Sequence, residues 1–378
     1  MTRNRATAFG TATILGLAAC AGCVLRQEKI AIGRDGSAVI ELEISGTPEE
    51  LARGDALPSA QGGWDVERRT DWDKDEEKTV LTTKRSFAPG EALPATFASP
   101  TDPNTDLYLS FPTEVRVEQR PDGMYYFFQR VYAPRNWVYV QYWQDVFFNK
   151  DVQKLGDKPV EQLTREERRS LIQAFASVEA FKQAELTKAA LAECAPELPI
   201  ENRLAARQAL LDVYENYGLL DRGLRLNIFD KDDEPVYAIM NRCDLPTEDA
   251  RNACYEAEAS RLLGEAHSAL LAKLHDDIGF GVVQLARFEL AYHRALRRYE
   301  ITNQLGGQQF EVTLEIPGRI VAHNGDEATF DEESGMSGVT WRFEGKAFRD
   351  RTHELTVVSK MADESDPKVR RPVDGDGR

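Results

Sequence analysis

Glu28-Lys-Ile-Ala-Ile-Gly-Arg-Asp35-Gly36-Ser-Ala-Val-Ile-Glu-Leu-Glu-Ile-Ser45 is the stretch on which the fold turns. Apolar and polar residues alternate on both sides of Asp35-Gly36, so each half can bury one face as a strand. The Asp-Gly pair accepts the positive φ angles of a tight hairpin turn. The same alternation returns near the other end as Gln308-Gln-Phe-Glu-Val-Thr-Leu-Glu-Ile316, followed by a Pro317-Gly318 turn, an extended Arg319 to Ala322 and the hairpin signal Asn324-Gly325. Val339 to Glu344 and His353 to Ser359 read as the closing strands. Further strands are expected over 77–87, 107–118 and 124–132, separated by Pro89-Gly90, Asp102-Pro103-Asn104 and Pro121-Asp122-Gly123, while 50–63 reads as a loop.

Past residue 150 the period lengthens. Thr164 and Glu167 form a capping box ahead of Leu171, Phe175 and Val178, and a second helix over 201–217 carries Leu210, Tyr214 and Tyr217 on one side. From Thr247 to about Asn303, one stripe of Ala259, Leu263, Ala266, Leu270 and Leu274 precedes another of Leu285, Phe288, Tyr292, Ala295 and Tyr299. Gly279 and Gly281 lie between the stripes, which predicts two antiparallel helices in place of one rod. Strands at both ends and helices between give an α+β class: a discontinuous, mostly antiparallel sheet from the N- and C-terminal segments with a long helical insertion. The divisions read as 20–27 tether, 28–150 β part, 151–305 helical insertion, 306–361 second β part and 362–378 disordered tail. Separate β and α domains are the competing architecture.

The first residues read as an address. Arg3 and Arg5 precede an uncharged run from Ala6 to Ala19, too short to cross a bilayer as a helix, which needs about twenty apolar residues. Leu17-Ala18-Ala19-Cys20 resembles the lipobox of bacterial lipoproteins. That resemblance implies a signal peptide over 1–19, diacylglycerol on the Cys20 sulfur and an acylated new amino terminus, enough acyl chains for stable anchoring. Cys23 has small residues before it too, but Cys20 occupies the leucine position upstream of it. The net charge of −16 becomes more negative still once Arg3 and Arg5 leave with the signal. About 360 residues would remain, enough for a sizeable core. So acidic a body repels nucleic acid and anionic surfaces at long range, which argues against a nucleic-acid partner.

Phe310-Glu-Val-Thr-Leu-Glu-Ile-Pro-Gly-Arg-Ile-Val-Ala-His-Asn-Gly325, with Val339-Thr-Trp341-Arg-Phe-Glu-Gly345 and Glu354-Leu-Thr-Val-Val-Ser359, resembles the closing strands of the β-rich bacterial lipoprotein domain known as LppM-like. A lipidated cysteine ahead of strands around Asp-Gly is similar to that family as well. The resemblance covers about a third of the chain, and the helical middle departs from the family's compact pattern. It implies an envelope lipoprotein without a known catalytic centre, in contact with lipid or glycolipid.

Residues that could carry chemistry are few. The five histidines are His267, His275, His293, His323 and His353. Glu289 and His293 stand one helical turn apart, but no second pair and no His-Glu-x-x-His accompany them, so no metal is expected. Asp71-Trp-Asp73-Lys-Asp75 has the opening of a calcium loop, yet Glu76 stands where that loop needs glycine and Thr82 where it needs a bidentate glutamate. Nucleophile-elbow, P-loop and dinucleotide signatures are missing, so no cofactor or catalytic residue is assigned. The expectation is a non-enzymatic envelope protein that binds a lipid, a glycan or a neighbouring protein, on the outer membrane if the cell has one. The alternative is a tethered carboxylate-dependent hydrolase such as a glycosidase.

Two structural sites complete the reading. An exported chain keeps disulfides, and a short fold-back could join Cys243 to Cys254, leaving Cys194 free or paired with Cys23. Residues 124–148 hold eleven aromatic rings in a chain that is 9% aromatic. Their simplest role is core, where the sheet meets the helices. The alternative is an apolar groove lined by Tyr139, Tyr142 and Trp143 with Arg135 at its rim, which full enclosure of those rings would exclude.

Overall fold

The computed structural model describes residues 24–361, apart from 74–75, 100, 137, 157, 159–161 and 221–233. The expected signal peptide, Cys20, Cys23 and the tail from Ala362 lie outside the described residues. The chain divides into two compact units, with boundaries at Asn136/Trp137 and Arg297/Arg298. The fold is α+β, and the segments before and after the helices build one β unit.

In that unit β1 (Leu25–Ile32) and β2 (Ala38–Gly46) form the hairpin read from the sequence, with Gly36 at φ 84° in the turn. β3 (Asp65–Asp73) and β4 (Glu76–Phe87) form a second hairpin. β5 (Thr113–Arg120) pairs with β6 (Gly123–Tyr132). From the C-terminal part come β7 (Gln309–Pro317), β8 (Arg319–His323), β9 (Glu327–Asp331), β10 (Met336–Glu344) and β11 (His353–Met361). A seven-stranded sheet runs β3-β4-β2-β1-β7-β10-β9 and a four-stranded sheet runs β5-β6-β11-β8. Both sheets therefore join N- and C-terminal strands. β1 pairs in parallel with β7, Leu25 opposite Gln309, and β6 pairs antiparallel with β11, Tyr132 opposite His353.

The inner faces meet in one core. Ile30, Ile40, Leu42, Val312, Leu314 and Trp341 from the larger sheet pack against Tyr126, Phe128, Tyr132, Leu355 and Val357 from the smaller. β2 alternates buried and half-buried along its whole length, the period of two that its sequence displays. The short helix α1 (Pro48–Arg53) occupies part of the expected loop, and Thr47 and Glu50 close a capping box there.

The second unit holds α2 (Val138–Phe147), α3 (Lys150–Gly156), α4 (Arg165–Cys194), α5 (Ile200–Asn216), α6 (Glu234–Arg242), α7 (Glu248–Ala272) and most of α8 (Val282–Gly307). Thr164 and Glu167 make the predicted capping box, and Thr247 caps α7. A π turn over Lys273–Asp277 and Gly279 at φ 87° divide α7 from α8 where the glycines foretold a break. Leu262, Ala266, Leu270 and Leu274 form the buried stripe of the first helix, while Ala259 and Leu263 are half-buried. The unit boundary departs from the residue-150 division. Residues 138–147 are helical because rings at Trp143 and Phe147 recur one turn apart, and they belong with the helices. At the other end, the last turns of α8 belong with the sheets and bury Ile301 and Leu305 in their core.

Candidate functional site

The described aromatic rings of 124–148 do not share one environment. Strand parity sends Tyr126, Phe128 and Tyr132 into the sandwich core, where Tyr132 stacks on Phe348 and meets Phe310 edge-on. Tyr125 and Phe127 take the opposite face of the same strand and stack at 6.4 Å on the outside of the smaller sheet. Cations cover them. Arg116 lies 4.5 Å from the Phe127 centroid, Arg120 lies 4.5 Å from that of Tyr125, and Lys360 lies 5.5 Å from the latter. Asp122 accepts hydrogen bonds from the Tyr125 hydroxyl at 2.9 Å and from Lys360 at 2.6 Å, and these two donors hold its carboxyl below the usual range.

The three groove candidates sit on α2. Tyr142 is 53% exposed and stands edge-on to Trp143, whose half-buried ring stacks at 3.9 Å on Phe181 of α4. Phe147 is buried and completes the stack. The result is a ledge of rings whose outer member faces solvent. Tyr139 lies on the same helix, and its side chain falls outside the described residues. Arg135 corrects the expected rim. It is buried in the β unit, donates from Nε and Nη2 to Thr302 Oγ1 and from Nη1 to the Tyr108 carbonyl, and burial pushes its pKa down.

A second constellation escaped the sequence reading because it lies where charges are not expected. Arg26 and Glu28 continue the inward parity of Ile30 and Ile32, so both side chains enter the core. Arg130 does the same from β6. Its Nη1 lies 2.8 Å from Glu28 Oε1, and its Nε donates to Thr113 Oγ1 at 2.7 Å. Arg26 lies 3.9 Å from Glu28 and 3.6 Å from Asp55, with its guanidinium 4.7 Å from the Phe97 centroid and 5.4 Å from that of Phe310. Asp55 also accepts the Leu109 amide at 2.8 Å, and burial pushes its carboxyl up against the opposing pull of Arg26. Burial raises the Tyr132 hydroxyl too, against the pull of Arg130. Beside this cluster Arg26, Glu50, Asp55 and Gln308 line a cavity of about 10 Å³, room for about one water. Two guanidiniums and two carboxyl groups so enclosed neutralise one another and leave a sugar or peptide no access.

In the helical unit Glu289 lies 3.0 Å from His267 and 4.0 Å from His293. Among the described residues no group of three or more His, Cys, Asp or Glu could hold a metal ion. Asp71 to Asp73 end β3 in a hairpin, and the Asp71 carboxylate accepts its neighbour Trp72's amide at 2.8 Å. Cys243 and Cys254 are joined, with Cα atoms 5.4 Å apart, and Cys194 is a free, half-buried thiol. Among the described residues no helix is long and apolar enough to cross a membrane.

No protein-family model, no curated protein and no solved structure matches the chain.

Proposed function

We propose that the chain is a secreted bacterial lipoprotein, held to a membrane outside the cytoplasm by acyl chains on Cys20, whose folded body binds an envelope partner and catalyses no reaction. The observation that carries the reading is the Cys243–Cys254 disulfide. Thiols in a reducing cytosol stay apart, whereas a cystine persists after export. The uncharged leader ending at Leu-Ala-Ala-Cys20 and the resemblance of residues 310–359 to the closing strands of LppM-like domains support the same address. Two surfaces suit a lipid, a glycan or a neighbouring protein: the Tyr142–Trp143 ledge and the cation-covered Tyr125–Phe127 pair. The buried carboxylates argue for a structural role, since each already faces a guanidinium.

Mass spectrometry of the mature amino-terminal peptide from membranes tests the anchor. An acylated Cys20 at the terminus is expected, and a free terminus beyond residue 23 would sink the reading. Crosslinking on intact membranes through residue 142, followed by identification of the attached lipid, glycan or protein, tests the binding role.

A further inference from the structure

We infer that the free face of the edge strand β3, carrying Val66, Arg68 and Trp72, rests on the phospholipid surface to which the chain is anchored. The inference rests on the lipid anchor at Cys20 proposed above and adds which part of the body the bilayer meets.

The strand is unusual in being exposed at every residue from Asp65 to Trp72. Its partners show which way each residue points. Val66, Arg68 and Thr70 stand opposite Thr83, Leu81 and Thr79, all buried, so this face continues the core-facing side of the sheet beyond its cover. Trp72 is 66% and Val66 42% exposed on it. The acidic residues Asp65, Glu67 and Asp71 alternate onto the other face, where Arg69 reaches Glu43 at 3.7 Å. The hairpin thus turns outward a face with the apolar Val66 and Trp72 and the cation Arg68, on which Glu77 of β4 stands opposite Trp72. Tryptophan favours the bilayer interface, where an apolar body and a polar tip are both satisfied, and arginine pairs with phosphate.

Register places that face beside the anchor. Leu25 lies opposite Ser45, Ser45 opposite Val80, and Val80 opposite Arg69. β3 runs antiparallel to β1, so Trp72 lies three residues past that row, on the side from which the chain enters β1. Strand spacing puts β3 about 14 Å to the side, and rise puts Trp72 at most about 10 Å beyond the row, a projection that sheet twist shortens without reversing. Five residues from Cys20 to Val24 span at most about 17 Å. An anchored chain can therefore lay Trp72 on the lipid without unpairing β1. In the sheet order β7 lies on the other side of β1, and β3 ends the sheet.

The test uses the full chain isolated from membranes and reconstituted in phosphatidylcholine vesicles with brominated acyl chains, which quench tryptophan on contact. Trp64 and Trp341 are buried and serve as unquenched references. The expected result, in a Trp137→Phe/Trp143→Phe background that leaves Trp72 as the exposed indole, is lipid-dependent quenching that Trp72→Phe abolishes and Arg68→Glu diminishes. Quenching that is unchanged in Trp72→Phe, on protein shown to be acylated and vesicle-bound, overturns the inference and leaves the anchor standing. Loss of a dimer in Trp72→Phe with no change in quenching assigns the strip to a second copy and also overturns it. Protein that is unacylated and does not float with vesicles overturns both.

Discussion

Glu28 is the hinge of the buried charge cluster, and its removal should cost more than the removal of either arginine. In Glu28→Leu, Arg26 and Arg130 stay in the core and Asp55, paired with Arg26, is the remaining carboxylate of the cluster. At an effective dielectric of about 20, charges separated by the observed 2.8 and 3.9 Å attract by about 6 and about 4 kcal/mol before desolvation is subtracted. Breaking a buried pair from one side typically costs about 3–5 kcal/mol, because the stranded charge keeps its desolvation penalty. Arg130→Met should fall in that range, since Arg26 still faces Glu28. Glu28→Leu should lie at or above its top, because Arg130 loses the carboxylate it pairs with and Arg26 keeps only Asp55 at 3.6 Å. Glu28→Leu/Arg130→Met should recover about 1–3 kcal/mol relative to Glu28→Leu, because one orphan charge goes with its partner. Urea titration followed through Trp64 and Trp341 reads the single-variant losses as midpoint shifts of about 1–2.5 M for an m-value of about 2–3 kcal/mol/M, with Glu28→Leu at the upper end. A loss below about 1 kcal/mol in Glu28→Leu, or a double variant no more stable than that single variant, would refute the reasoning.

Three further outcomes follow from particular contacts. Reduction, or Cys243→Ser, should destabilise the helical unit by about 3 kcal/mol, the chain-entropy value for a closed loop of about 12 residues; a melt insensitive to reductant removes this claim. His353 lies 4.4 Å from the Phe343 ring, and burial lowers its pKa, so the folded state disfavours the proton. Its contribution is complete above the unfolded histidine pKa of about 6.5 and is lost as pH falls through the lower folded value. His353→Gln should flatten that part of the stability profile, and an unaltered slope would count against it. A Cβ on Gly345 would collide with the Leu305 carbonyl, so Gly345→Ala should lower the melting temperature clearly, whereas Gly264→Ala, with open space around it, should not.

What the sequence displays and what it conceals differ by a physical rule. Hairpins around Asp35-Gly36 and Pro121-Asp122-Gly123, the Thr164 capping box and the break at Gly279 are local, and local chemistry announces them. β3 was missed because an edge strand guarded by charge carries no apolar alternation. β9, Glu-Ala-Thr-Phe-Asp, lacks it for the same reason. The parity of β1 does extend to Arg26 and Glu28, so their inward direction was available. Residue type argued against it, since an arginine or glutamate is buried only when a partner waits, and Arg130 waits about a hundred residues away. The ring-rich segment was legible as a cluster. Its division among core, outer sheet face and α2 required knowing where β6 ends.

The parallel pairing of β1 with β7 governs how the molecule can be made. Leu25 and Gln309 are about 280 residues apart, so the central strand of the larger sheet lacks one neighbour until nearly the whole polypeptide has emerged. The β1–β2 hairpin and the helices contain mostly near-neighbour contacts and can form early, whereas the sandwich closes last. Until then β1 presents an open edge beside Ile30 and Ile32, the condition that invites aggregation. A nascent chain stalled before residue 309 should therefore need a holding chaperone that the finished chain does not. Truncations that spare every helix but remove β7 should misfold as completely as those that remove the amino-terminal hairpin.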